Sequence, residues 1–303
     1  MRIGLLGTGP WARRTHGPAL AAHPAVELAG VWGRRPEAAR DLADTLGTRA
    51  HDDVDALLDA CDAVAIALPP DVQAPLAVRA ARAGKHLLLD KPVATSVEGA
   101  RELVDVVAET GVASVVYFTL RFTDGPAAWV EEQRAADGWW TGDARWLSSI
   151  FAGGDSPYAA SPWRHDRGAL WDVGPHALSM LLPVLGDVAE LETVRGQAGP
   201  GDTVQFLLRH TSGAVSTVTT SHTVPEAAAE VLAEVRGEAG VSRMPAWHGD
   251  APAVPFANAV DALLRAAGGE PHPCDVRFGA RVTEILAAVE ASLPAKPARS
   301  AST

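Results

Sequence analysis

The sequence predicts an α/β protein, a doubly wound parallel sheet followed by a second, α+β domain on a mainly antiparallel sheet. Three observations carry this prediction. From residue 1 to about 118, short apolar runs with strand periodicity alternate with helical patterns, the order that builds a parallel sheet. Beyond about 119 the alternation stops and strand-like runs follow one another, which favours antiparallel pairing. Between the first strand and the first helix lies Gly7-Thr8-Gly9-Pro10-Trp11-Ala12, a turn of the kind that opens a Rossmann-type sheet.

Taken in order, strands are expected at Ile3–Leu6, Val26–Trp32, Ala63–Leu68, His86–Leu89 and Ala113–Phe118, with helices near 11–22, 36–46, 72–83 and 96–110. Gly47, Gly84 and Gly111 each follow a helical segment where a C-terminal cap belongs, and Ser96 opens one with Glu98 and Glu102 in its first turns. In the second half, helices near 124–136 and 170–185 precede strand-like runs at 188–195, 203–210, 214–223 and 229–236, with turns at Ser212-Gly213 and Glu238-Ala239-Gly240. Helices near 255–267 and 276–292 close the fold, the last with an apolar face of Val276, Val282, Ile285, Leu286 and Val289. The domains are therefore expected at 1–118 and 119–293, with a disordered tail at 294–303.

Composition narrows the function. With 303 residues, 47% hydrophobic and 21% charged, the chain has the make-up of a soluble protein with room for two cores. A net charge of −11 with no clustered Lys or Arg stripe argues against nucleic acid. No apolar run reaches the roughly 20 residues that cross a bilayer. Cys61 and Cys274 have neither disulfide-framework nor metal-ligand spacing, so no metal is expected and a reducing cytoplasm is the default location. His272-Pro273-Cys274-Asp275 reads as a loop ahead of a helix, with Asp275 as its cap.

Three clusters carry chemistry. In the opening turn, Gly7 permits the tight reversal, Gly9 lets backbone N–H groups approach a pyrophosphate, and Ala12 is the small third position where helix packs on strand. Thr8, Pro10 and Trp11 complete that cofactor loop. The second strand ends in Gly33-Arg34-Arg35 with no carboxylate for a ribose 2′-hydroxyl, so a 2′-phosphate is favoured, NADP(H) over NAD(H). The run Leu87-Leu88-Leu89-Asp90-Lys91-Pro92 is a buried strand that delivers Lys91 to the ligand-binding end of the sheet, beside Asp90. Finally, Asp172 and His176 stand four residues apart at an expected helix start, where the carboxylate would orient the imidazole and favour its protonated form. Tyr158 lies in the Gly153–Tyr158 loop, within possible reach of a substrate.

Together the Gly-x-Gly-x-x-Ala turn, Asp90-Lys91-Pro92, Trp163-Arg164 and the Asp-x-Gly-x-His signature at Asp172–His176 resemble the glucose–fructose oxidoreductase, inositol dehydrogenase and MocA-like (Gfo/Idh/MocA) family over nearly the whole chain. The resemblance implies a two-domain enzyme with an open-faced second sheet used for homodimer or homotetramer contacts. It implies a catalytic trio of Lys91, Asp172 and His176, in which Lys91 positions the reacting oxygen, His176 exchanges the proton and Asp172 supports it. Leu68, Pro69 and Gln73 would line the cofactor, and Arg164 would approach cofactor or substrate. Thr119 stands where the family commonly has Asn, Asp90 where Glu is frequent, and Pro70 and Gln73 where Asn and His are usual. The implied activity is NAD(P)-dependent hydride transfer at an alcohol, ketone or aldose carbon of a polyhydroxylated substrate. A cofactor-retaining glycosidase acting through transient oxidation, and a non-catalytic NADP sensor, are the alternatives.

Overall fold

A computed structural model describes residues 1–153, 156, 158–247, 249 and 252–294. Five parallel strands, β1 (Arg2–Leu6), β2 (Glu27–Trp32), β3 (Ala63–Ile66), β4 (His86–Asp90) and β5 (Ser114–Tyr117), lie in the order β2-β1-β3-β4-β5. They are flanked by α1 (Gly17–Ala22), which continues a π-helical turn at Ala12–His16, and by α2 (Pro36–Leu46), α3 (Val54–Ala60), α4 (Pro70–Arg82) and α5 (Val97–Thr110). The reversal of strand order between β1 and β3 leaves a crevice beyond their carboxyl ends, the general ligand site of such sheets. Its floor is tight: Gly7, at φ 130°, packs so closely on the chain after β3 that a Cβ would lie 2.3 Å from the Ala67 carbonyl oxygen. The helix α3 is an addition to the expected elements; Asp53 caps it by accepting the Ala56 N–H at 2.8 Å.

The second half holds α6 (Asp124–Arg134), β6 (Trp139–Leu147), α7 (Pro162–Asp172), α8 (Gly174–Leu185), β7 (Arg195–Ala198), β8 (Val204–Arg209), β9 (Val215–Ser221), β10 (Glu230–Gly237), β11 (Gly240–Arg243), α9 (Ala253–Ala267) and α10 (Val276–Ser292). Its six strands run β11-β10-β6-β9-β8-β7, antiparallel except for the central pair β6 and β9. Three corrections to expectation arise here. The central strand β6 carries small inward residues: Gly142 sits where a Cβ would meet Leu185 at 2.6 Å, so α8 presses close and little apolar alternation shows. The strand expected at 188–195 begins only at Arg195; Val188 makes a lone bridge to His210, and Leu191–Thr193 is a 3-10 turn. The helix expected over 170–185 is two helices broken at Val173.

The inner face of this sheet packs on α8, while the outer face bares Leu207 and Val215, with Val241 exposed on the edge strand. Helix α9 returns to pack across β4, β5 and α1, and α10 packs on α5 and α8, tying the two halves together. Asp275 caps α10, its carboxylate accepting the N–H groups of Arg277 and Phe278 at 2.9 and 3.1 Å. Of the expected tail, Pro294 alone is described, and Gly154, Asp155 and Pro157 of the loop before Tyr158 also lie outside the described residues.

Candidate active site

The opening turn lies over the crevice, tied to the end of β2 by the Gly7 N–H, which donates to the Trp32 carbonyl at 2.8 Å. A side chain at Gly9 would meet nothing within 4 Å, which is the open cradle that a pyrophosphate needs, and the helical segment starting at Pro10 directs its first N–H groups there. Ala12 is fully buried against the sheet. Gly33 makes room for Thr8 rather than for a ligand, since a Cβ there would lie 2.6 Å from the Thr8 methyl. Arg34 and Arg35 point outward at the end of β2, exposed and without an ion-pair partner among the described residues. A residue not foreseen, Arg13, braces the turn by donating to the Thr8 carbonyl at 3.2 Å and pairing with Asp41 at 2.8 Å. The residues present thus fit a dinucleotide.

Gln73 does not line that space. It is fully buried and spends its amide on the corner after β4, donating to the carbonyls of Asp90 (2.7 Å) and Pro92 (3.1 Å) and accepting the Asp90 N–H at 2.9 Å. It is a clamp for the Lys91 backbone. Leu68 and Pro69 remain half-buried at the crevice edge. Burial pushes the Asp90 carboxyl up to about 6, partly offset by the neighbouring Lys91 ammonium.

Lys91 reaches from the end of β4 across to the second half. Its Nζ donates to both the backbone carbonyl (2.6 Å) and the carboxylate (2.8 Å) of Asp172, the last residue of α7. The other carboxylate oxygen accepts from Arg164 Nε at 2.6 Å and from His222 Nε2 at 3.0 Å. Burial would raise the Asp172 carboxyl, but Lys91, Arg164 and His222 together hold it well below its ordinary range. Arg164 in turn lies over the rings of Tyr158 (5.1 Å) and Trp163 (4.9 Å), and Tyr158 meets Trp11 of the opening turn edge-on at 6.0 Å. One continuous cluster therefore joins the turn, Tyr158, Arg164, Asp172 and Lys91.

His176 sits differently from expectation. The break at Val173 puts it on α8, so the spacing of four does not bring it onto the Asp172 carboxylate. Its ring stacks on Trp146 at 4.7 Å, and its buried Nδ1 has no hydrogen-bond partner among the described residues. Burial and the nearby Lys91 charge hold it well below its usual value, so it is a neutral imidazole rather than the protonated one expected from a supporting Asp172. Thr119 is buried in a 3-10 turn, its carbonyl taken by Thr123 Oγ1 at 2.9 Å, and no hydrogen bond joins it to the cluster. Besides Arg13, the sequence does not mark His222: nothing local identifies a histidine just past β9 as the partner of an aspartate 50 residues earlier.

Another buried imidazole, His16, packs on Phe256 with 4.0 Å between ring centroids, has no hydrogen-bond partner at either nitrogen among the described residues, and lies 3.9 Å from the Asp90 carboxylate; burial drives it down to about 3 from 6.5. Because its folded value lies below the unfolded one, the unfolded chain binds the extra proton and stability falls as pH drops from 6.5 towards 3. His16→Leu is therefore expected to be about 2 kcal/mol more favourable, relative to wild type, at pH 5 than at pH 8. Denaturant melts at the two pH values check this, and equal differences at both would contradict it.

Comparison with known proteins agrees with this geometry. A family model described as an oxidoreductase family with an NAD-binding Rossmann fold matches residues 1–118, and the GFO/IDH/MocA C-terminal domain matches 133–243. The dTDP-3,4-didehydro-2,6-dideoxy-alpha-D-glucose 3-reductase of Streptomyces violaceoruber is 36% identical over 212 residues, 68% of this chain and 59% of the reductase. The chain thus spans about three fifths of that relative's length. The inositol 2-dehydrogenase of Rhizobium meliloti is 28% identical over 232 residues, 73% of this chain and 68% of that protein. Among solved structures, levoglucosan dehydrogenase in complex with NADH and levoglucosan superposes with a TM-score of 0.82 at 20% identity, covering 96% of each chain. The two family models together take in most of both halves, and the chain belongs to the Gfo/Idh/MocA oxidoreductase family.

Proposed function

We propose that the chain is an NAD(P)-dependent oxidoreductase, preferring NADP(H), that moves hydride to or from a secondary alcohol, ketone or aldose carbon of a sugar, polyol or related polar substrate. Residues 1–118 would bind the nucleotide and 119–293 the substrate. The observation that carries this reading is the Lys91–Asp172 pair, which joins the two halves beyond the end of β4 and connects to the glycine turn through Arg164, Tyr158 and Trp11. The relatives named above act on sugars and inositol, and their names support the substrate class.

Bound in the crevice, the dinucleotide would supply the hydride acceptor or donor. The protein supplies the rest. An ammonium has three N–H donors, and Lys91 spends two on Asp172, leaving one to hold the substrate oxygen and stabilise charge that develops on it. Asp172 fixes Lys91 rather than His176. The neutral His176 ring, its position set by Trp146, is in the right state to accept the hydroxyl proton on oxidation. Arg164 and Tyr158 would close the site over the turn and contact the substrate.

The NADP preference rests on Arg34 and Arg35, exposed beside the turn with no carboxylate to compete. Arg34→Ala with Arg35→Ala is expected to weaken NADPH binding by about 10- to 100-fold, the worth of one charge-assisted bond, with NADH affected little. Fluorescence titration with the two nucleotides reads this; equal loss for both would remove the preference. The activity itself is tested by reduced-nicotinamide formation from NADP+ with myo-inositol, levoglucosan and related sugars, and the absence of turnover across such a panel would overturn it. The bare outer face around Leu207 and Val215 fits a homo-oligomeric contact. Two buried free thiols and no helix of the described residues able to cross a membrane fit a cytoplasmic location.

A further inference from the structure

We propose that His222, seated on Ser148, is the positioning residue that fixes the Asp172 carboxylate and, through it, Lys91. The proposal rests on the reading of Lys91 and Asp172 as the centre of the redox site. His222 follows β9 and Ser148 follows β6, the one parallel pair in the second sheet, so their carboxyl ends converge on the same point. The His222 ring is fully enclosed. Its Nε2 lies 3.0 Å from Asp172 Oδ2, and its Nδ1 lies 2.8 Å from the Ser148 hydroxyl.

The backbone behind the ring is equally fixed. Asp202 accepts the His222 N–H at 2.8 Å through one oxygen and the Ala169 N–H at 3.0 Å through the other. That second bond holds α7 just after Gly168, whose φ of 68° allows the bend that turns Asp172 inward. One carboxylate thus ties the strand bearing His222 to the helix bearing Asp172. The other donor to Asp172 Oδ2, Arg164, is 19% exposed and stands on the first turn of α7, so the enclosed donor is His222. Without it, Oδ2 is held by Arg164 alone, and the carboxylate that orients Lys91 loses its fully enclosed donor.

His222 acts by orientation and not as a proton relay. A relay would have to place a proton on Asp172, whose carboxylate lies between the Lys91 and Arg164 cations and is kept ionised by them. An Nε2–H aimed at that carboxylate, with Nδ1 closed by Ser148, is the arrangement that locks both ring and carboxylate.

Two independent readouts test this. In protein labelled with 15N-histidine, the His222 signal, assigned by its loss in His222→Gln, is expected to show a protonated Nε2, and to shift in Asp172→Asn; an unprotonated Nε2 overturns the proposal. This arm needs no substrate. With any sugar or polyol that the wild type oxidises, His222→Leu is expected to lose about 10- to 100-fold in kcat, one bond to a charged group, with KM for the sugar and NADPH affinity unchanged. His222→Gln, which restores an N–H donor, is expected to recover most of that loss, and Ser148→Ala to lose several-fold. Wild-type kcat in folded His222→Leu, or no recovery in His222→Gln, overturns the role. If His222→Leu does not fold, Ser148→Ala with unaltered kcat is the overturning result. A wild type inert towards every sugar tried would instead defeat the oxidoreductase reading, leaving the spectroscopic arm to judge His222.

Discussion

Lys91→Ala is expected to lower turnover of any accepted sugar or polyol by about 10²–10³-fold, the usual effect of deleting a preorganised donor to a developing oxyanion. NADPH binding is expected to stay near wild type, because the turn at Gly7–Ala12 and the exposed Arg34 and Arg35 lie apart from the ammonium's bonds. The fold is expected to survive. Asp172 keeps Arg164 and His222 when Lys91 is gone, so no charge is stranded, and the loss is that of two hydrogen bonds to one donor, about 1.5–3 kcal/mol. Steady-state kinetics with parallel nucleotide titration separate the two effects. A kcat within tenfold of wild type would remove Lys91 from the chemistry.

That result would probe a site whose parts differed in how plainly the sequence displays them. The turn, Lys91 and the five parallel strands are legible because each follows a local rule: glycines at a strand-to-helix reversal, a buried run ending abruptly in Asp90-Lys91-Pro92, strands alternating with capped helices. The helix α3 was equally available, with Asp53 as cap and Val54, Leu57 and Leu58 on one face, but it is only seven residues long and sits between two stronger elements. Strand β6 was hidden because Gly142 and Ala144 face α8, so the apolar partner surface is supplied by Leu181 and Leu185. The pairing of Asp172 with His176 failed for a similar reason. The rule that residues four apart share a face assumes one helix, and Val173 ends that assumption. His222 and the use of Gln73 as a backbone clamp depend on contacts between distant strands, which no window of sequence contains.

Asp172→Ala is expected to be the more damaging change, because it strands what Lys91→Ala leaves paired. The carboxylate is buried and accepts from Lys91, Arg164 and His222; without it, a largely buried ammonium and guanidinium lose the anion they share. Removing one side of a buried ion pair costs roughly 3–5 kcal/mol, most of it the penalty of the charges left behind. The expected cost is therefore larger than for Lys91→Ala, and activity falls with it. Two further results follow from the same cause. Lys91→Met combined with Asp172→Leu is expected to cost less than the sum of the single changes by about 1–3 kcal/mol, since Lys91→Met removes an ammonium that Asp172→Leu leaves unpaired. The difference from wild type is also expected to depend on pH with a definite sign. The folded carboxyl lies well below its ordinary 3.8, so the stability it contributes is complete above that value and drains away as pH falls through the acid range, where variant and wild type should converge. Denaturant unfolding of the single and double variants across that range checks both. Strict additivity, or a gap that widens in acid, would show that Asp172 is not the anion holding these two cations together.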